Sequence, residues 1–249
     1  MVEEAGTGAG ADDACAWDER LGWAFGLIAD DPAARTAALA YLAEARRQAA
    51  DALGRSNEMW RLTLPLGAEE QYRERAFLQA RRRHHQAQRR SLPDGLWGRP
   101  ASGDLATWPG LPYALLFLEW EARYPREWTQ HAKAWGTKQS LIRDMALVHQ
   151  EEAIRAKLTD LVEIVVLRAY RCKDREYVRV ARAVDSADLR GRLGRAVDSD
   201  SPWARCHAEY VLWLLDRPDM PNTPHVWRAW VAGEAAALMW PGDDARKVP

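Results

Sequence analysis

The chain has 249 residues, of which 47% are hydrophobic and 29% charged, and its 35 basic and 36 acidic side chains leave a net charge of -1. It is long enough to bury a core without disulfides or a structural metal, and its size fits one large or two small domains. The apolar run from Leu111 to Leu118 is far short of the roughly 18 residues of a spanning helix, so no membrane crossing is expected.

In chain order, the first sixteen residues read as an acidic tail: Glu3, Glu4, Asp12 and Asp13 flank a Gly/Ala stretch with too little apolar surface to pack. Without early Lys or Arg this is also the wrong charge for a secretory signal, and a cytoplasmic protein is expected. Residues 1–53 sum to -6 and residues 54–110 to +4. Helical periodicity covers 17–29, and Asp31-Pro32 opens a helix over 32–53 with a capping oxygen before a proline. Trp60 to Leu64 alternates like a strand, but one strand makes no sheet. A helix over 67–90 closes an N-terminal helical unit, 17–90. Pro93, Gly95, Gly98, Pro100, Gly103, Pro109 and Gly110 make 91–110 an irregular linker.

The main helical domain is expected over 111–240, with helices at 111–123, 126–134, 138–172, 174–185, 187–197, 202–216 and 224–239. The longest rests on the absence of Gly and Pro between Thr137 and Arg190, and Ser201-Pro202 and Thr223-Pro224 repeat the capping signal of Asp31-Pro32. Arg-Ala-Val-Asp-Ser occurs at 182–186 and again at 195–199, which suggests short antiparallel helix pairs in the C-terminal half. Residues 241–249 read as a second tail. The predicted fold is all-α, a multi-helix bundle.

The sharpest pattern lies at 128–147. Ala132 stands four before Gly136, Trp135 adjoins that glycine, and Ile142 and Met145 follow at six and nine. A helix-turn-helix needs a small residue where its helices touch, a Gly at the turn and apolar residues at fixed offsets on the second helix. The window resembles the helix-turn-helix of bacterial DNA-binding proteins such as repressors, over about twenty residues and without pointing to one family. The resemblance implies that Lys138, Gln139, Ser140 and Arg143 meet base edges, where Arg and Lys donate to guanine and Gln pairs with adenine.

Phosphate contacts would come from two arginine sets. Arg81, Arg82, Arg83, Arg89 and Arg90, with His84 and His85, form a ten-residue stretch without a carboxylate. Arg168, Arg171, Arg175, Arg179 and Arg182 share one face if their helix is unbroken, and Arg175, Arg179 and Arg182 are the phosphate candidates among them. Cations in such rows displace condensed counterions from a duplex.

Catalytic and metal signatures are poor. Cys15, Cys172 and Cys206 are odd in number and widely spaced, which argues against a disulfide framework or zinc knuckle. His149 with Glu152 and Glu127 with His131 lack the second half of a helical dinuclear site. No catalytic residue, metal or cofactor is expected. The 13 Trp residues offer rings for stacking, although helical spacing assigns most of them to the core. The leading expectation is a non-enzymatic protein that binds duplex DNA, a transcriptional regulator or a plasmid or phage component. The alternative is a helical interaction module or short α-solenoid that presents Trp and Arg to a protein partner or a second copy of itself.

Overall fold

The computed structural model describes residues 15–67, 70, 74–100, 105–147 and 151–233. Most of the N-terminal tail, the tail at 241–249, and the part of the last predicted helix beyond residue 233 lie outside them. All regular structure among the described residues is helical, and the all-α expectation holds. No helix among them is long and apolar enough to cross a membrane. The chain divides into two compact units, 1–141 and 142–249.

In the first unit, residues 15–21 are helical and run into a 3-10 helix, Gly22–Ile28. Helix α1 (Pro32–Thr63) begins where Asp31 accepts bonds from the Ala33 and Ala34 amides, which satisfies two of the amides a helix start leaves unpaired. Its buried residues Ala38, Leu42, Ala45, Ala49, Ala52 and Ser56 follow alternating steps of four and three, and Thr63 comes seven later, the seam of a helix that packs along its length. Helix α2 (Arg75–Gln88) pairs with it. Trp60 to Leu64, which alternates like a strand in sequence, is the end of α1 and its cap: Trp60 packs on Phe77 of α2 at 5.4 Å between ring centroids, so tertiary burial overrides the local alternation.

Helix α3 (Leu111–Arg123) is buried on nearly every side, as expected for a helix apolar all round. Phe117 and Trp120 belong to it, Trp128 to helix α4 (Pro125–His131) and Trp135 to helix α5 (Trp135–Met145). Their rings meet at 5.7 Å for Phe117–Trp128 and 4.8 Å for Trp128–Trp135.

The expected linker is part of this core: Leu92 and Leu96 are fully buried, and Ser91, Leu105 and Trp108 nearly so. Gly95 and Gly110 sit where the packing leaves no room for a side chain. A Cβ on Gly110 would stand 2.3 Å from Trp108 and 2.5 Å from Trp17, closer than ring atoms tolerate. Gly110→Ala is therefore expected to destabilise this unit by about 1–3 kcal/mol, the cost of overpacking a tight site. Urea unfolding checks this, and an unchanged midpoint would refute the contact.

The second unit contains helices α6 (Glu152–Leu167), α7 (Tyr177–Ala183), α8 (Ala187–Val197), α9 (Pro202–Leu215) and α10 (Pro224–Val231). Ser201 and Thr223 cap α9 and α10 as the sequence implies. The two Arg-Ala-Val-Asp-Ser copies each close a helix, and Ser186 then caps α8 by accepting from the Leu189 amide.

Candidate functional site

The window at 128–147 forms two helices with a turn, but the turn is built differently from the expected one. Gly136 lies inside α5, and the left-handed residue is Lys133, with φ 48°. Lys138 does not project from the surface. Its side chain is wholly buried, as is that of Glu121, and the two are 2.9 Å apart, so the ammonium serves a carboxylate in the core. Ser140 accepts a hydrogen bond from Arg99, and Gln139 is half-buried. Arg143 is exposed, but its Nε and Nη2 donate to both Glu176 oxygens at 3.0 and 2.8 Å. These four residues do not form a free polar face.

The second arginine row is broken because the helix is. The chain leaves α6 at Leu167, and Lys173 adopts φ 72° before α7 starts. Arg168 donates to both oxygens of Asp174 at 2.7 and 3.1 Å. Arg179 pairs with Glu176 at 3.1 Å. Arg182 donates to the carbonyls of Leu214, Arg217 and Met220, the first two of which also accept a backbone amide at the end of α9 and in the following turn. Of the row, Arg175 is half-buried and makes no ion pair among the described residues.

The first arginine set stands apart from all of these. Arg81, Arg82, Arg83, Arg89 and Arg90 are exposed, as is Arg75, and none of the six enters an ion pair among the described residues. At 100° per residue, Arg75, Arg82 and Arg89 recur every seven positions on one face of the helical stretch, with Gln79 and Gln86 between them. No carboxylate occurs from Arg75 to Pro93. Glu74, just before the helix, is held at its start by accepting from the Ala76 amide.

On the side of the helix turned to α1, Arg81 lines a recess of about 420 Å³ between α1 and α2 together with Ser56, Asn57, Trp60, Phe77, His84 and His85. The His84 and His85 rings lie 5.8 Å apart. Burial, and then the charge of His85, hold His84 below the usual histidine range, against a smaller opposing pull from Asp94, so His84 is neutral at neutral pH. Asp94 in turn is raised by burial, with Arg46 and His84 acting against that. The recess thus joins one fixed cation, two imidazoles and an indole edge. Sequence reasoning names its arginine and histidines but misses Asn57 and Trp60, because the alternation around Trp60 reads as a strand.

Among the described residues no three His, Cys, Asp or Glu side chains gather as a metal site. Trp120 and Trp128 are fully buried, as their helical spacing implies, whereas Trp97 and Trp203 are exposed. The chain matches no known family model, no curated protein and no solved structure.

Proposed function

We propose that the protein binds nucleic acid through its phosphate backbone, with α2 of the first unit as the contact surface. The observation that carries this reading is the exposed, carboxylate-free set of Arg75, Arg81, Arg82, Arg83, Arg89 and Arg90, without an ion pair among the described residues. Such cations gain free energy by releasing counterions from a polyanion. A planar guanidinium also meets phosphate oxygens through two parallel N–H donors. The recess that Arg81 lines supplies Trp60 and two imidazoles, side chains on which an unpaired base stacks. This reading assigns no base contact to α5, so binding is expected to be largely indifferent to sequence.

Fluorescence anisotropy with short labelled duplex and single-stranded DNA tests it across about 50 to 200 mM salt, where phosphate contacts weaken steeply. Replacing Arg82 and Arg89 with Gln is expected to weaken binding to every sequence alike and to lower the salt slope by about two, one for each phosphate that is no longer neutralised. Absence of binding at low salt overturns the reading, as does an unchanged slope in the double variant. If α5 instead reads bases, replacing Gln139 and Arg143 with Ala would abolish a sequence preference that the arginine variant keeps.

Acidification adds a second readout. His84 is neutral at neutral pH, and protonating it adds a positive charge to the recess. Affinity is therefore expected to rise as pH falls through and below the histidine range, and His84→Gln is expected to flatten that rise.

A further inference from the structure

The second unit contains an aromatic-walled cavity of about 330 Å³, within the range of small-molecule sites. Valines of α6, α7 and α9 form much of its lining, together with the rings of Tyr170, Trp203, Tyr210 and Trp227. His207 sits among three of these rings, 5.6 Å from Tyr170, 6.1 Å from Trp203 and 5.9 Å from Trp227 between centroids.

Three polar features give the cavity a direction. His207 is 8% exposed, and its buried Nε2 has no hydrogen-bond partner among the described residues. A buried polar atom left in that condition costs free energy. Desolvation pushes the imidazole below its usual range, with a smaller opposing pull from Asp174, so it is neutral and offers a hydrogen bond without a charge. Among the described residues, the charged ones in the lining are Asp174 and Arg175. Asp174 is already engaged by Arg168 and by the Arg171 amide at 2.6 Å, whereas the Arg175 guanidinium has no ion pair among the described residues.

The Arg175 backbone is fixed in place. Its carbonyl accepts from Asn222 Nδ2 at 2.6 Å, and Asn222 Oδ1 accepts from the Tyr210 hydroxyl at 3.1 Å. Asn222 thus ties the backbone that carries Arg175 to the Tyr210 ring on one wall of the cavity.

We infer that this cavity binds a small planar aromatic carboxylate, its ring held between the Trp and Tyr side chains, its acid group on Arg175 and a hydrogen bond at His207 Nε2. An aromatic box of this kind also attracts quaternary and primary ammonium groups. Here the one carboxylate that the described residues place in the lining is neutralised and the remaining charge is positive, so an anion is preferred. The site lies wholly in the second unit, and its existence does not depend on nucleic-acid binding by the first.

Calorimetric titration of the full chain with three ligands sharing one ring tests this: indole-3-acetate, indole-3-ethanol and tryptamine. Indole-3-acetate is expected to bind more tightly than the neutral alcohol by about tenfold or more, as a charge-assisted contact provides, and tryptamine most weakly. Arg175→Gln is expected to erase the preference for the acid while leaving binding of the alcohol. Trp203→Ala removes a ring that is 57% exposed, so the fold should survive, and it is expected to weaken all three ligands. Equal or tighter binding of tryptamine overturns the assignment, and so does failure of both indole-3-acetate and 2-naphthoate to bind at millimolar concentration. Unchanged affinities in a folded Trp203→Ala protein overturn it as well.

Discussion

Replacing Lys138 with Ala is expected to destabilise the first unit by about 3–5 kcal/mol, the cost of leaving one member of a buried ion pair without the other. The Lys138 and Glu121 side chains are both inaccessible to solvent and 2.9 Å apart. The Trp135 ring lies 5.6 Å from the ammonium and adds a cation–π contact. With the ammonium gone, Glu121 must stay charged in a medium that solvates it poorly or take up a proton. The double replacement Lys138→Met with Glu121→Leu is expected to recover most of the loss or exceed the parent, because an apolar pair of similar volume has no desolvation cost. Urea unfolding decides the matter, with constant m-values confirming that the same surface is exposed in each variant. A change below about 0.5 kcal/mol, usual for exposed sites, would refute the burial. The same variant separates the two accounts of α5: a lysine that reads bases would lose affinity on truncation, whereas a core lysine leaves the affinity of the folded fraction unchanged.

Asp174→Ala is expected to cost the second unit a comparable amount, about 3–5 kcal/mol. Asp174 is 6% exposed. It accepts from both terminal nitrogens of Arg168 at 2.7 and 3.1 Å and from the Arg171 amide at 2.6 Å. Bidentate, charge-assisted contacts of this kind are the strong class of hydrogen bond. They also hold the connection between α6 and α7, where Lys173 takes its left-handed turn. Asp174→Asn keeps the shape but loses the charge and is expected to fall between the parent and the alanine variant. Denaturant unfolding monitored on this unit checks the order, and equal stability of all three proteins would refute it.

Much of the fold was legible because caps and breakers act locally. Asp31, Ser201 and Thr223 each stand before a proline, and each caps a helix as its side-chain chemistry dictates. Helices Leu111–Arg123 and Ala187–Val197 match their predicted spans. Absence of Gly and Pro, in contrast, does not guarantee helix. The stretch 138–172 is interrupted after Met145, and α6 ends before Arg168, where the Asp174 carboxylate draws off a backbone amide that helix would otherwise use.

The expected site was less legible than the fold. Spacing alone does not separate an exposed Lys138 from a buried one. The signal lay elsewhere in the sequence, in Glu121 one turn beyond the apolar run Leu111 to Leu118, since a carboxylate buried with that helix requires a cation. Arg81 to Arg90 could be read directly, because a run without carboxylates has few local partners. In the cavity of the second unit, Trp203, His207 and Tyr210 recur at helical spacing, but Tyr170, Arg175 and Trp227 join them only in three dimensions.

The Lys138–Glu121 pair also restricts how this protein can change over generations. Either position altered by itself strands a charge in the interior, so a lineage that loses one must lose the other almost at once. Among relatives, the two positions are therefore expected to co-vary, whereas the arginines of α2, which lean on no ion-pair partner among the described residues, can be exchanged one by one.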